Sequence, residues 1–278
     1  MNYLKIDIVR LTTSKLVFMI IVLLFAISII DPITVLMHFS NSVDSAERIG
    51  QNPFQFWMLM NTVSWGNNVY NLLFWILASI LTGLIYFEDK NTSMYMYQIV
   101  RYSRKKYLVS KFLSTWMFSF VIMLLVLEVN IIVTFILFQD STSMTDYYYR
   151  IIPNKGSFVY EPFQSDPMYM IQIYTILNAI AISIFVVLSL CIQMLFNISN
   201  RYVALLIPVI ILYGVNFIFD SFPILFAHNI RMIIQPRAVS VLSTIISWEN
   251  VFVVLGGWVL VNCLLMSIIF YKSRDCYE

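Results

Sequence analysis

The chain has 278 residues, of which 60% are hydrophobic and only 12% are charged, and its formal net charge is +2. A soluble domain carries about 25% charged residues, so this composition excludes an ordinary water-soluble fold. The small net charge gives no indication of a nucleic-acid partner. Two of the three cysteines lie in apolar stretches and one in the C-terminal tail, so no structural disulfide is expected.

The apolar residues come in blocks, and each block has the length of about 20 residues that a membrane-spanning helix needs. Six spans are predicted, at 16–37, 69–87, 112–138, 169–197, 203–219 and 251–271. No linker separates soluble domains, so residues 1–278 are predicted to form a single transmembrane domain. The predicted fold class is therefore an all-α membrane protein with six transmembrane helices.

Two further elements are predicted outside the spans. Leu4, Ile8 and Leu11 share one helical face and are surrounded by charged residues, which indicates an amphipathic N-terminal helix on the membrane surface. The stretch 220–250 is too polar to span, yet apolar residues after Pro236 fall on one helical face. This pattern predicts a re-entrant or interfacial helix before the last span.

The orientation follows from the lysines and arginines in the connecting segments. One side carries 12 of them, in the N-terminus, the 88–111 loop, Arg201 and the C-terminal tail, and the other side carries 5. Because the richer side of a membrane protein is usually cytoplasmic, both termini are predicted to be cytoplasmic and the 139–168 loop external. A bias towards Ile, Asn, Lys and Tyr favours an AT-rich genome, so the expected location is a bacterial cytoplasmic membrane.

Signatures of catalysis are absent from the sequence. It has no His-Glu-x-x-His motif, no cysteine pair with metal-ligand spacing and no glycine-rich phosphate loop. The chain is therefore not expected to be an enzyme or to bind a metal or nucleotide by itself. If it uses ATP, another subunit must supply the site.

Two polar residues lie deep in the predicted third span. Glu128 is a candidate functional residue, because an unpaired carboxylate inside the membrane costs at least a few kcal/mol, and Asn130 follows closely. The alternative is a helix-packing hydrogen bond from Glu128 to Asn178 or Gln193. Both interpretations stay open at this point.

The loop between the second and third spans contains the most specific pattern. Its acidic start is followed by an apolar and aromatic stretch from Met94 to Val100 and then by a basic cluster. This layout resembles the membrane (permease) subunit of type-2 ATP-binding-cassette transporters, in which Glu, Gly-Thr, a short helix, Pro-x-Ser-Arg and Lys occur in this order. Asn91 stands where that family usually has Gly, and Tyr102 lies where Pro is usual. The matching residues are Glu88, Thr92, Ser103, Arg104 and Lys111.

The resemblance implies a mechanism that involves partners. Two ATPase subunits would hold ATP and Mg²⁺ and dock beneath a pair formed by this chain and a second copy or homologue. Residues 92–104 would form a coupling helix whose Tyr95 and Tyr97 enter a groove on the ATPase. Export is the implied direction, along a path lined by spans one, two and five.

Substrate chemistry is only coarsely indicated. An apolar, aromatic-rich path suits a hydrophobic or amphiphilic substrate such as a peptide. Two other classes are also considered: a proton-coupled secondary transporter that uses Glu128, and a membrane immunity or scaffold protein that transports nothing.

Overall fold

The computed structural model describes residues 3–42, 53–61, 64–92, 103–138, 153–196, 200–222, 225–236 and 245–272. Within these ranges the chain is helical almost throughout and contains no strand. Five of the helices found there are long and apolar enough to cross a membrane. The expectation of an all-helical protein with membrane-spanning segments is confirmed at this level.

The helices are numbered in chain order. They are α1 (Tyr3–Thr13), α2 (Lys15–Ser42), α3 (Pro53–Phe56), α4 (Trp65–Val69), α5 (Trp75–Asn91), α6 (Arg104–Leu137), α7 (Tyr160–Ser165), α8 (Pro167–Phe196), α9 (Arg201–Ser221), α10 (Ile230–Ile234) and α11 (Trp248–Lys272). A π-helical turn, Tyr70–Phe74, joins α4 and α5 into one long helix.

The five long apolar helices are α2, α4–α5, α6, α8 and α11, whereas the apolar part of α9, Leu206–Ser221, is shorter. The predicted boundaries 169–197 and 251–271 agree closely with α8 and α11. The second long helix begins at residue 65 instead of 69, and the third at 104 instead of 112. Hydropathy marks where a run becomes apolar, and both helices begin with polar turns that this criterion omits.

The core is organised around α8, whose residues are almost continuously buried from Met170 to Gln193. It packs against α5, α6, α9 and α11. By contrast, α11 exposes large apolar side chains such as Phe252, Leu260 and Leu264. A surface of this kind is favourable in lipid and unfavourable in water.

The long helices alternate in direction, so their ends gather at two ends of the bundle. At one end α1 packs on α6, and Phe112 lies 6.5 Å from Phe270 between ring centroids. The described lysines and arginines other than Lys155 and Arg231 lie at this end, which we call the basic end. At the opposite end the rings of Phe158 and Trp248 lie 4.9 Å apart.

Residues 53–61, which lie between the first two predicted spans, pack into the bundle. Trp57 and Met58 are fully buried. The Asn130 side chain accepts a hydrogen bond from the Met58 N–H (3.2 Å) and donates one to the Ser28 carbonyl (2.8 Å). Pro32 has no N–H to give to that carbonyl four residues earlier, so Asn130 supplies the missing donor and α2 continues through the proline.

A second segment, 225–236, packs into the bundle at the same end as 53–61, opposite the basic end. Ile233 and Ile234 of α10 are buried, and the Asn178 side-chain amide donates to the Ile234 carbonyl at 2.8 Å. The predicted re-entrant helix falls largely on residues 237–244, which lie outside the described residues. Of the apolar face predicted there, Ile246 is buried and Ile245 is exposed.

Candidate functional site

The N-terminal helix α1 meets the bundle with a face that differs from the predicted one. Leu11 is buried as expected, but Leu4 and Ile8 are only partly buried, and the second buried residue of α1 is Asp7. The amphipathic pattern had placed Asp7 among the surrounding polar residues. A carboxylate is stable in this position only if a cation meets it.

That cation is Lys111 of α6. Its ammonium nitrogen lies 2.6 Å from Oδ1 of Asp7 and 2.8 Å from Oδ2 of Asp89 at the end of α5. The side chains of Lys111 and Asp89 are fully buried. One lysine therefore bridges two carboxylates on two different helices.

Three more side chains complete the hydrogen bonding of the carboxylates. Ser110 donates its hydroxyl to Oδ2 of Asp7 at 2.8 Å. Tyr107 donates to Oδ2 of Asp89 at 2.9 Å, and Arg10 pairs with Oδ1 of the same group. All four carboxylate oxygens thus have donors, which is what makes burial of the charges tolerable.

We call this group the charge cluster. Its members are Asp7, Arg10, Asp89, Tyr107, Ser110 and Lys111. Two acidic and two basic groups give it no net charge. An acidic residue at the C-terminal end of a helix is opposed by the helix dipole, so Asp89 depends on Lys111 and Arg10 for its place at the end of α5.

The charge cluster joins three elements at the basic end. It ties α1 to the end of α5 and to the first turns of α6, which are the two ends that flank residues 93–102. A displacement of α1 or of the α5–α6 connection is therefore passed directly to two long helices.

The predicted coupling residues fall around this site. Glu88 is exposed, and its carbonyl accepts hydrogen bonds from both the hydroxyl (2.7 Å) and the N–H (2.9 Å) of Thr92 at the end of α5. Arg104 is the first residue of α6 and is partly buried. Tyr95 and Tyr97 lie outside the described residues, so their role stays a prediction.

Ser103 precedes α6 in an unusual backbone conformation. Its φ of 72° and ψ of 138° lie in a region that favours glycine, and its side chain makes no capping hydrogen bond. A non-glycine residue in such a region stores strain of about 1–3 kcal/mol. The connection therefore enters α6 through a strained residue next to the predicted coupling segment.

A small crevice opens beside the charge cluster, between α1, α2 and α5. Its lining includes Arg10, Leu11, Ser14, Val17 and Glu88. Its volume of about 40 Å³ suffices for one or two water molecules and is far too small for a peptide or lipid. Within the described parts of the chain no group of three or more His, Cys, Asp or Glu is placed to hold a metal ion.

Glu128 has a hydrogen-bond partner, but not one of those predicted. The amide of Gln172 on α8 donates to its Oε2 at a long 3.4 Å. Asn178 instead accepts from the Tyr70 hydroxyl (2.6 Å), and Gln193 contacts Ser189. The predicted partners were wrong because sequence spacing does not tell which residues of two packed helices face each other.

Sequence reasoning missed Asp89 and Tyr107, the two cluster members that hold the end of α5 against α6. The pattern had drawn attention to the neighbouring Glu88, whose carboxylate points to the surface. One signal was available: Tyr107 and Lys111 are four residues apart and share a helical face. An aromatic residue and a lysine at this spacing, on a helix that follows acidic residues in the sequence, indicate a buried ion pair.

The chain was also compared with known proteins. No protein-family model, curated protein or solved structure matches it.

Proposed function

We propose that this chain is the permease subunit of an ATP-binding-cassette transporter, with six transmembrane helices, and that a separate ATPase subunit drives it. The sixth span in this proposal is α9, whose 21 residues extend about 32 Å at 1.5 Å per residue. That length matches the hydrocarbon core of a bilayer, which is about 30 Å thick. The partners would be two ATPase subunits and a second permease copy or homologue.

The observation that carries the proposal is the charge cluster. A coupling device must move several helices when a partner pushes on the surface, and α1, α5 and α6 are joined here by buried ion pairs. The predicted coupling segment 92–104 connects two of these three helices. The position of this joint next to the predicted coupling segment supports the proposal of an ATP-driven permease.

The proposed orientation has the basic end in the cytoplasm. It rests on the concentration of lysine and arginine at that end, and short basic segments next to spans are retained on the cytoplasmic side. The location would be a bacterial cytoplasmic membrane. In this orientation an ATPase reaches residues 92–104, and the segments 53–61 and 225–236 pack into the outer half of the bundle.

The proposed substrate is hydrophobic or amphiphilic, such as a peptide, and the proposed direction is export. Support comes from the chemistry of α2, α5 and α9, which lie side by side with α5 in the middle. Large apolar side chains are exposed on α2 and α9, as at Phe18 and Ile210. A second permease packed against these helices would enclose a path with apolar walls.

Energy would be transmitted through a change in contact rather than through tight binding. A partner shifts a conformational equilibrium only by the difference in its affinity for the two states. Burial of a large aromatic side chain such as Tyr95 or Tyr97 in a partner groove is worth about 1.5–3 kcal/mol before association costs. Closure of the ATPase dimer would change these contacts and tilt α5 and α6 together.

The proposal is tested by affinity purification of the chain in mild detergent. We expect a P-loop ATPase to co-purify with the wild type. The double variant Tyr95→Ala/Tyr97→Ala should lose most of that ATPase, or retain it without stimulation of ATP hydrolysis in nanodiscs.

The matched control is charge reversal at Lys105 and Lys106, which are exposed at the start of α6. It should alter orientation or lipid dependence, at about 1 kcal/mol per charge near the membrane surface, more than it alters ATPase binding. Wild-type binding and wild-type stimulation in the double tyrosine variant would contradict the coupling role.

A further inference from the structure

A second buried carboxylate lies at the opposite end of the bundle, in the first membrane helix. Asp31 of α2 is fully buried and faces the start of α4. Its Oδ1 accepts a hydrogen bond from the Gly66 N–H at 3.0 Å. Next to it, the Trp65 indole donates to the Thr34 hydroxyl at 2.6 Å. These contacts form a joint between α2 and α4.

Gly66 and the carboxyl group of Asp31 pack against each other without spare room. A methyl group on Gly66 would overlap the Asp31 carboxyl group. Glycine at this position therefore allows the backbone of α4 to approach the carboxyl and donate to it. The carboxyl group is in turn shielded from its surroundings by that backbone.

The second oxygen of Asp31 is left without a hydrogen-bond donor. Oδ2 is buried and has no partner in the described part of the chain. The buried hydroxyl of Ser28, one turn earlier on the same face of α2, also lacks a partner there. In the charge cluster, by contrast, every carboxylate oxygen has a donor.

In the described part of the chain, no cation compensates for a negative charge at this place. Among the described residues, none forms a salt bridge with Asp31. The charged residues of α5 lie at its far end, the described 53–61 segment contains none, and the charged residue in the outer half of α6 is Glu128, which contacts Gln172. The hydroxyl of Tyr70, the titratable group next along the α4–α5 helix, is committed to Asn178.

We propose that Asp31 is a proton-binding site, with its carboxyl group protonated while α2 and α4 are packed together. A neutral carboxyl keeps the contact with Gly66, because its carbonyl oxygen accepts the same N–H. The proton would lie on Oδ2, the oxygen that accepts no hydrogen bond. An ionised carboxylate would be buried with Oδ2 unpaired and without a counter-ion among the described residues, an arrangement that buried charges avoid.

The proton links this site to the packing of two helices. Loss of the proton would create a charge that only water can stabilise, and water can reach it only if α2 and α4 separate. The joint at the opposite end of the bundle is therefore responsive to pH. This inference does not depend on the proposed ATPase partner and concerns the folded chain alone.

Infrared difference spectroscopy of the purified chain in nanodiscs tests the proposal. The wild type at mildly acidic pH should show the C=O stretching band of a protonated carboxylic acid, and the band should weaken as the pH is raised. Asp31→Asn, which keeps the acceptor for Gly66, should abolish that band. The matched control Glu128→Gln should leave it unchanged.

Two further measurements keep the test decisive if Asp31→Asn fails to fold. Wild-type protein labelled with ¹³C at the aspartate carboxyl should shift the band, and glutamate labelling should not. Gly66→Ala should displace the carboxyl from its shield and remove the band at the same pH while Asp31 is retained. Absence of the band in the wild type, its loss in Glu128→Gln, a shift on glutamate labelling, or its persistence in Gly66→Ala would overturn the proposal.

Discussion

Among substitutions in the charge cluster, replacement of Lys111 by methionine is expected to destabilise the protein most. Methionine has nearly the same length and fills nearly the same space, so the change removes the charge without opening a large cavity. It leaves Asp7 and Asp89 facing each other without the ammonium group that lies 2.6 and 2.8 Å from them. Arg10 remains, but it pairs with Asp89 alone and is partly exposed.

The magnitude follows from burial. Removal of one partner from a buried ion pair costs about 3–5 kcal/mol, because the remaining charge is uncompensated. Lys111 serves two buried carboxylates, so the expected loss lies in this range even after Arg10 and side-chain rearrangement offset part of it. A domain is stable by only about 5–15 kcal/mol, so α1 should detach before the bundle unfolds.

Hydrogen exchange of residues 3–13 measures this detachment, and chemical denaturation in mild detergent measures the total loss. In Lys111→Met the amides of α1 should exchange much faster than in the wild type, while those of α8 remain protected. Lys106→Met on the exposed side of the same helix is the control and should change stability by less than about 0.5 kcal/mol.

A second substitution checks the electrostatic cause. Asp89→Asn in the Lys111→Met background removes one of the two uncompensated charges and should restore part of the lost stability and of the protection of α1. The reasoning is refuted if Lys111→Met stays within about 1 kcal/mol of the wild type with α1 fully protected, or if Asp89→Asn makes the variant worse.

Four other outcomes are expected. Asn130→Leu leaves the Met58 N–H without its acceptor and should cost about 1–3 kcal/mol, with faster hydrogen exchange at 57–60; an unchanged exchange rate would contradict this role. Ser103→Gly should be tolerated, whereas Ser103→Val should lower thermal stability by about 1–2 kcal/mol because of the positive φ; equal melting of the two would speak against the strained conformation. Glu128→Gln should keep ATP-driven transport, and a loss of dependence on a pH gradient in that variant would favour the secondary-transporter alternative. In a background without native cysteines, an impermeant maleimide should label intact cells at Ser143→Cys and not at Ser103→Cys, and the reverse pattern would invert the topology.

The sequence predicts the long helices well where an apolar run and a helix coincide. This holds for α8 and α11, which have apolar residues over nearly their whole length. It fails at the start of α6, because Arg104 to Lys106 are polar but still helical. Lys111 was expected just before the span and is found seven residues inside the helix, fully buried.

Short segments that pack into the bundle escape a search for long apolar runs. Trp57-Met58-Leu59-Met60 is only four residues long, yet all four are buried. The polar residues near this segment in the sequence are typical of a loop. In the structure Asn67 donates to the carbonyls of Met58 and Leu59 and so provides partners that lipid would not.

The candidate site is predicted only in part, because spacing identifies elements and not pairings. The 88–111 pattern directs attention to the right end of the bundle and to Lys111. Which acidic residue faces that lysine depends on the rotation of α5, and one residue of difference separates the exposed Glu88 from the buried Asp89. Asp31 and Pro32 lie within the first predicted span, and α2 continues past them to Ser42.

Site-specific photo-crosslinking in intact cells tests the central claim, that the basic end of this bundle docks on an ATPase. A photoreactive residue would replace Lys5 on the exposed side of α1 or Lys106 at the start of α6, with Phe217, exposed near the far end of α9, as the control position. The account predicts a crosslink to a P-loop ATPase from both basic-end positions and none from Phe217. No ATPase crosslink from either position, or an equal one from Phe217, would contradict it.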